Sequence, residues 1–309
     1  MRAIGIHEFG GRNKLQLLEL PEPKVPPDFV KIQVRAAGVN PVDWKIREGR
    51  SEPRFPVVFP LVPGWDAAGV VAEVGPAVTE FAPGDQVYAY CRKHFLGEGT
   101  YAEYVSVPDS YVARKPESLS FEQAAALPLA GLTAYQALFL AAGLTAGERV
   151  LVSAAAGGVG SFAVQLAVDA GAEVVGVASE PHRDRVVELG AYEVIDRSRD
   201  VVEAVHEFVP EGVDVAFDLY GDERLGEAVR DGGRLVSIAA PPSYRERGVV
   251  PSYVFVRPDG ELLEELAALA DDGRLVVDLA EVLPLEQAAR AQELSEGGHV
   301  RGKLVLRVA

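Results

Sequence analysis

The chain has 309 residues, 48% hydrophobic and 25% charged, with 31 glycines and 21 prolines spread along it, proportions that exclude a disordered, collagenous or coiled-coil protein and suit two globular domains. Against 46 Asp and Glu stand 30 Lys and Arg, and the net charge of -16 argues against any broad electrostatic grip on nucleic acid or an anionic membrane. A single cysteine, Cys91, excludes an internal disulfide and every zinc site built from several cysteines, and it suits a reducing cytoplasm. The start MRAIGIHEFGG lacks the regions of a signal peptide, and no uncharged apolar stretch reaches the length of a membrane span.

The first 110 or so residues read as short strands between glycines and prolines. In FVKIQVRA, Val30, Ile32 and Val34 alternate with Lys31, Gln33 and Arg35, the pattern of a half-buried strand. AAGVVAEVG, DQVYAY and GTYAEYVSVP repeat that texture, with turns at Pro63-Gly64 and Pro83-Gly84, so this part is expected to form an antiparallel barrel or sandwich. FEQAAALPLAGLTAYQALFLAAG follows a helical period that Pro128 interrupts, which predicts two consecutive helices. From Glu148 strands and helices alternate: ERVLVSA, VGSFAVQLAVDAG, EVVGVAS, a helix ending near Gly190, EVI, VDVAFDL and GRLVSIA. Such βα units build a doubly wound parallel sheet, giving an α/β protein. The last forty residues return to strand, helix, strand and are assigned back to the first domain. The expected boundaries are 1–122 with 272–309 for that domain, and 123–271 for the parallel sheet.

The strand LVSA runs through AAGGVG into a helix, so Ala155, Gly157, Gly158, Val159 and Gly160 occupy a strand-to-helix turn. Glycines there let backbone N–H groups approach a pyrophosphate at the positive end of the helix, so an acidic protein can hold an anionic dinucleotide without a basic patch. The next strand ends in Ser179 rather than in the acidic residue that binds both ribose hydroxyls of NAD. A small hydroxyl leaves room for a 2′-phosphate and favours NADPH, with Arg183 or Arg197 as the cationic partner. Glu180 is the contrary signal, and Arg183 reads equally well as a solvent-facing helix residue. Tyr220, Ile238 and Ala239 follow later strand ends, where open α/β sheets bind ligands.

With AAGGVG in its second half, and GVNPVDWKIREG, PGWDAAGVV and GGHVRGKLVL around it, the chain resembles the medium-chain dehydrogenase/reductase superfamily, and within it the zinc-less quinone oxidoreductase branch. The resemblance implies a Rossmann cofactor domain, a GroES-like barrel domain that carries catalysis, and a homodimer that pairs edge strands near SYVFV. Zinc relatives keep a cysteine and a His-Glu pair where this chain has Asn40, Trp65 and Asp66, so no metal is expected. Asn40 then reads either as an amide donor to the substrate oxygen or as a turn residue before Pro41. Lys45 falls where relatives end a proton relay near the nicotinamide ribose, Thr133 where a threonine meets the carboxamide, and Lys303 near the cofactor. Asp43 reads as the residue that pins this loop. Trp44 and Trp65 are candidate walls for a flat substrate, or packing. Tyr88 and Tyr90 share one strand face, which lines either the substrate or the core. His299 reads as a surface or capping residue.

Without a Lewis acid, simple ketone reduction loses several kcal/mol of assistance. A conjugated acceptor needs only donors for its developing anion and a proton. The expected activity is therefore NADPH-dependent reduction of a quinone or of the activated double bond of an α,β-unsaturated carbonyl compound, with an enoyl reductase as a variant. The alternative is a dinucleotide-binding structural or regulatory protein that does not turn over. The expected partner is a small molecule, without nucleic acid or membrane, and the variable loops around residues 50–59 and 91–99 leave the substrate open.

Overall fold

The computed structural model describes residues 1–51, 54–298 and 300–308. The chain divides into two units, Met1–Leu129 with Arg257–Ala309, and Ala130–Val256.

The first unit begins with β1 (Arg2–Gly5), β2 (Gln16–Glu19) and the long β3 (Phe29–Val39), which runs into α1 (Pro41–Arg47). There follow β4 (Val57–Val62), β5 (Asp66–Val74), β6 (Gln86–Tyr90), β7 (Leu96–Glu98), β8 (Tyr104–Pro108), β9 (Val112–Arg114) and α2 (Phe121–Ala126). Helix α3 (Pro128–Tyr135) carries the chain into the second unit. That unit contains β10 (Arg149–Val152), α4 (Gly158–Asp169), β11 (Glu173–Ala178), α5 (Arg183–Glu188), β12 (Glu193–Asp196), α6 (Val201–Phe208), β13 (Val213–Asp218), β14 (Val229–Ser237) and β15 (Val250–Tyr253). The chain returns with α7 (Gly260–Asp271), β16 (Leu279–Pro284), α8 (Ala288–Gly297) and β17 (Lys303–Arg307).

The first unit is built on a seven-stranded sheet of order β16-β17-β3-β5-β6-β9, with β8 also paired to β3. Its pairs are antiparallel except β16 with β17. Val30, Ile32 and Val34 are fully buried in its core, as the alternation along β3 predicts. Segments expected to be loops contribute a small parallel pair, β4 with β7. The two helices expected around Pro128 form as α2 and α3. Ser120 and Gln123 cap α2 reciprocally at 3.1 and 3.2 Å, and Pro128 opens α3, where its missing N–H costs no helical bond.

Helix α7 falls on the other side of the boundary from the expected one. Asp271 accepts the N–H groups of Glu117 and Ser118, Glu264 accepts that of Arg114, and the Tyr88 hydroxyl donates to Leu263 O, so α7 is tied to the first unit.

The second unit is a six-stranded, wholly parallel sheet of order β12-β11-β10-β13-β14-β15. The chain leaves β10 in opposite directions towards β11 and β13, and this reversal opens a crevice at the carboxyl ends of the strands. Among the described residues no helix is long and apolar enough to cross a membrane.

Candidate active site

Asn40 follows the last residue of β3, adopts an extended backbone and caps α1, while Pro41 supplies the first helical residue. The Asp43 carboxylate reaches back to accept the Asn40 N–H at 2.8 Å and also accepts the Tyr101 hydroxyl at 2.9 Å. Pairing of β3 with β5 sets Gly38 opposite Asp66. A Cβ on Gly38 would lie 2.3 Å from Ala125 O and 2.9 Å from Asp66 Cβ, so only glycine permits this approach. Asn40 Nδ2 donates to Asp66 Oδ2 at 2.8 Å, and Asp66 Oδ1 accepts the Leu129 N–H, also at 2.8 Å, at the start of α3. From β17, the Lys303 ammonium donates to Asn40 Oδ1 and, at 3.2 Å, to Val39 O.

Asn40, Asp43, Asp66 and Lys303 are each no more than 4% exposed. Burial pushes the Asp43 carboxyl up to about 7 and that of Asp66 up to about 6, although the hydrogen bonds they accept and the Lys303 charge pull the other way. Burial lowers Lys303 in turn. Two carboxylates beside one ammonium carry a net negative charge, and one proton taken up by the group cancels it. Asp66 and Tyr101 were not among the expected site residues, yet they complete this network.

Of the other expected groups of the first unit, Tyr90 stands opposite Asp66 across β5 and β6, and Trp65 precedes Asp66 in the chain. Lys45 is exposed, with its ammonium 5.5 Å from the centre of the Trp44 ring, over which Arg50 also lies at 5.0 Å. Desolvation and the Arg50 charge lower the Lys45 pKa. Trp65 packs edge-on against Phe55 and Tyr90, both at 6.0 Å, and lines a small cavity with Ile46, Cys91 and Phe95. Tyr90 is fully buried beside it. Tyr88 corrects the expectation of a substrate wall, because it is fully buried and its hydroxyl is spent on Leu263 O. His299 lies outside the described residues. Among the described residues no cluster of three or more His, Cys, Asp or Glu side chains is arranged to hold a metal ion.

In the second unit the expected cofactor residues gather along the carboxyl edge of the sheet. Ala154 takes a left-handed backbone with φ 47°, a strained conformation for a residue with a side chain. Gly157 turns its own N–H back to Ala154 O at 2.8 Å and caps α4, whose first N–H groups, from Gly158, Val159 and Gly160, have no acceptor within the helix. A Cβ on Gly160 would stand 2.1 Å from Ala154 O, so glycine is required for α4 to close on the turn. Ala155 is fully buried and donates to Val177 O at 2.9 Å, bonding this turn to β11.

Ser179 follows β11, its hydroxyl 3.3 Å from His182 Nδ1, and Glu180 begins a short 3-10 turn, exposed to solvent. Arg183 is already engaged, with Glu193 at 2.8 Å and with Val194 O. Arg197, at the end of β12, is exposed and has no ion pair among the described residues. Tyr220 is 70% exposed after β13, and Ile238 and Ala239 follow β14. Asp218, not foreseen, shapes this edge: buried at the end of β13, it accepts the N–H groups of Tyr220 and Gly221 and the Ser237 hydroxyl at 2.8 to 2.9 Å. Ser153 Oγ accepts the Leu219 N–H at 2.8 Å and joins β10 to β13 where the strand order reverses. Thr133 is buried within α3.

Two family models match the chain, an alcohol dehydrogenase GroES-like domain over residues 26–117 and a zinc-binding dehydrogenase over residues 189–306. The chain is 34% identical over 319 residues to an NADPH-dependent alkenal/one oxidoreductase of Arabidopsis thaliana, covering 99% of this chain and 79% of that protein. It is 33% identical over 326 residues to the quinone oxidoreductase of Homo sapiens, covering 99% and 97%. The structure of an Escherichia coli quinone oxidoreductase complexed with NADPH superposes with a TM-score of 0.89 at 29% identity, over the whole of both chains.

Proposed function

The chain belongs to the medium-chain dehydrogenase/reductase superfamily, in its zinc-less quinone oxidoreductase branch, and we propose that it is an NADPH-dependent reductase of quinones or α,β-unsaturated carbonyl compounds. The observation that carries the reading is the turn from β10 to α4, where the N–H groups of Gly158, Val159 and Gly160 have no acceptor among the described residues, at the reversal of strand order.

The residues of this edge fit a dinucleotide. Helix α4 offers its N-terminus to the pyrophosphate, Tyr220, Ile238 and Ala239 border the nicotinamide half, and Ser179 with Arg197 receives the 2′-phosphate. Thr133 and Lys303 are assigned to the same cofactor. When bound, NADPH would supply two electrons and a hydrogen as hydride, leaving one proton to be delivered to the acceptor.

The same residues do not fit the zinc named in the second family description. Where ligands would stand, the chain has Asn40, Trp65 and Asp66, and Asn40 Oδ1 accepts from the Lys303 ammonium, a cation that would oppose a metal ion there. What this site can do instead is hydrogen-bond. One Asn40 Nδ2 hydrogen is committed to Asp66, and the second is assigned to the acceptor oxygen as negative charge develops on it. Asp43 acts through Asn40, by holding its backbone. The proton is assigned to Lys45, whose pKa is lowered, to a tyrosine or to water. A cytoplasmic location is assigned on the lone Cys91, which suits a reducing compartment, and a homodimer is assigned on β15, the sheet edge where Val250 is 54% exposed.

The test is oxidation of NADPH and NADH against a benzoquinone, a naphthoquinone, an alkenone and a simple ketone, with cofactor binding measured alongside. Turnover of the conjugated acceptors with NADPH preferred is expected. Binding without turnover across the panel would instead assign the chain to a non-catalytic dinucleotide-binding role.

A further inference from the structure

Along the outer face of β8 runs a groove of about 720 Å³, within the size range of small-molecule sites. Alternation along β8 turns Val107 into the core, and Tyr104, Ser106 and Pro108, with Val105 beside them, form the groove floor. Phe29, Val58 and Phe95 are among the apolar residues of its walls, and Val58 is 55% exposed. Its charged lining carries a small positive excess: Lys93 pairs with Glu98, Glu22 pairs with Lys31 outside the groove, the Met1 ammonium faces Glu19 at 3.9 Å, and Lys24 stands at the rim. Ser106 Oγ is buried there without a hydrogen-bond partner among the described residues, a donor in an otherwise apolar wall.

The position of the groove identifies what it holds. Val62, Lys93, Phe95 and Gly97 line both the groove and the small cavity beside Trp65 and Cys91, so one wall serves both. From there the groove follows β8 away from Asn40. Tyr104 pairs with Gln33 and Pro108 with Phe29, at the far end of the strand that Asn40 terminates. Four residue steps along β8 span about 14 Å, the length of a medium alkyl chain.

We infer that this groove receives the uncharged hydrocarbon tail of the acceptor, so that the enzyme's preferred substrate is a conjugated acceptor bearing an alkyl or prenyl chain. The inference rests on the reductase reading and adds the substrate class to it. Most of the floor and wall residues are apolar, and a trough of that kind, beginning at the wall beside Trp65, fits the uncharged part of a substrate that does not react. Binding energy gained there, remote from the reacting atoms, raises kcat/KM without changing the chemistry.

The experiment is a series of 2-alkyl benzoquinones from methyl to decyl, assayed with NADPH on the full chain and on Val58→Glu, an exposed substitution that leaves the core untouched. Full burial of one methylene is worth roughly fourfold, so partial burial of several predicts a rise in kcat/KM of at least tenfold from methyl to decyl. In V58E the decyl-to-methyl ratio falls towards one. Calorimetric titration with decylhydroquinone, which is already reduced, gives a readout without turnover: binding to the full chain and its loss in V58E support the groove. A flat length dependence in the wild-type chain, with short quinones reduced, overturns the groove and leaves the reductase reading standing. Failure to reduce any acceptor, with titration still lost in V58E, overturns the reductase reading and keeps the groove as a site for apolar chains. A molecular mass that drops in V58E, with no length dependence, reassigns the surface to contact between two copies of the chain and overturns the inference.

Discussion

The Lys303 ammonium contacts the side-chain oxygen of Asn40 while the nitrogen of the same amide donates to Asp66 at 2.8 Å. A cation at one end and a carboxylate at the other leave the amide only one satisfactory orientation, since the reversed amide would point its hydrogens at an ammonium. The two charges also polarise the amide in the same sense, and this strengthens its remaining N–H as a donor. Asn40→Ala is therefore expected to lower kcat/KM for a quinone by about 100-fold, the cost typical of one lost donor to a developing oxyanion. Binding of NADPH, measured by titration, should change far less. Equal losses in both would assign Asn40 to holding the fold.

The buried carboxyls make stability depend on pH in a defined sense. Asp43 rises from 3.8 to about 7 and Asp66 from 3.8 to about 6, both through burial, so the folded chain binds more protons than the unfolded one between those limits. Their contribution is fully present below about pH 4 and is lost as pH rises through 6 and 7. Asp43→Asn keeps an acceptor for the Asn40 N–H and the Tyr101 hydroxyl but removes the charge. The variant is expected to gain Tm relative to the wild type as pH goes from 5 to 8. Parallel Tm curves would mean that Asp43 does not titrate in this range.

What could be read in the sequence was local. The alternation along β3 and the glycines between β10 and α4 depend on neighbours a few residues apart, and the structure places both as expected. The buried network escaped because its contacts are distant along the chain: Asn40 meets Asp66 across 26 residues, Tyr101 meets Asp43 across 58 and Lys303 meets Asn40 across 263. Alternation likewise puts Tyr88 and Tyr90 on one face without saying what covers it, and α7 shows an apolar stripe without naming the sheet it packs on. Asp218 had a readable signal, an acidic residue closing the apolar strand VDVAFD, which has a place in a packed sheet only if backbone donors meet it.

Two glycines of the cofactor turn should separate steric fit from anion binding. At Gly160 a methyl group would lie 2.1 Å from Ala154 O, and overpacking of this kind costs about 1–3 kcal/mol. Gly160→Ala is expected to lower Tm and to weaken NADPH binding more than tenfold by pushing α4 off the turn. At Gly157 the same methyl would lie 3.2 Å from that oxygen, a contact that a small shift relieves. Gly157→Ala should therefore fold with a Tm near that of the wild type. Equal destabilisation by the two substitutions, in thermal melts without cofactor, would contradict this account.

The two arginines considered for the 2′-phosphate differ in what they already hold. Arg183 donates to Glu193 at 2.8 Å and to Val194 O, so it would have to break an ion pair to reach a phosphate. Arg197 is exposed at the end of β12, beside Asp196, whose carboxylate accepts from Ser198 N and Oγ. A hydrogen bond to a charged group is worth about 1.5–3 kcal/mol, so Arg197→Ala should weaken NADPH by roughly 10-fold to 100-fold and leave NADH within about twofold. Arg183→Ala should alter both cofactors alike, through the local fold of α5 and β12. The ratio of the two dissociation constants is the quantity to compare: loss of NADPH preference in the Arg183 variant alone would move the phosphate to that residue and break the assignment of Arg197.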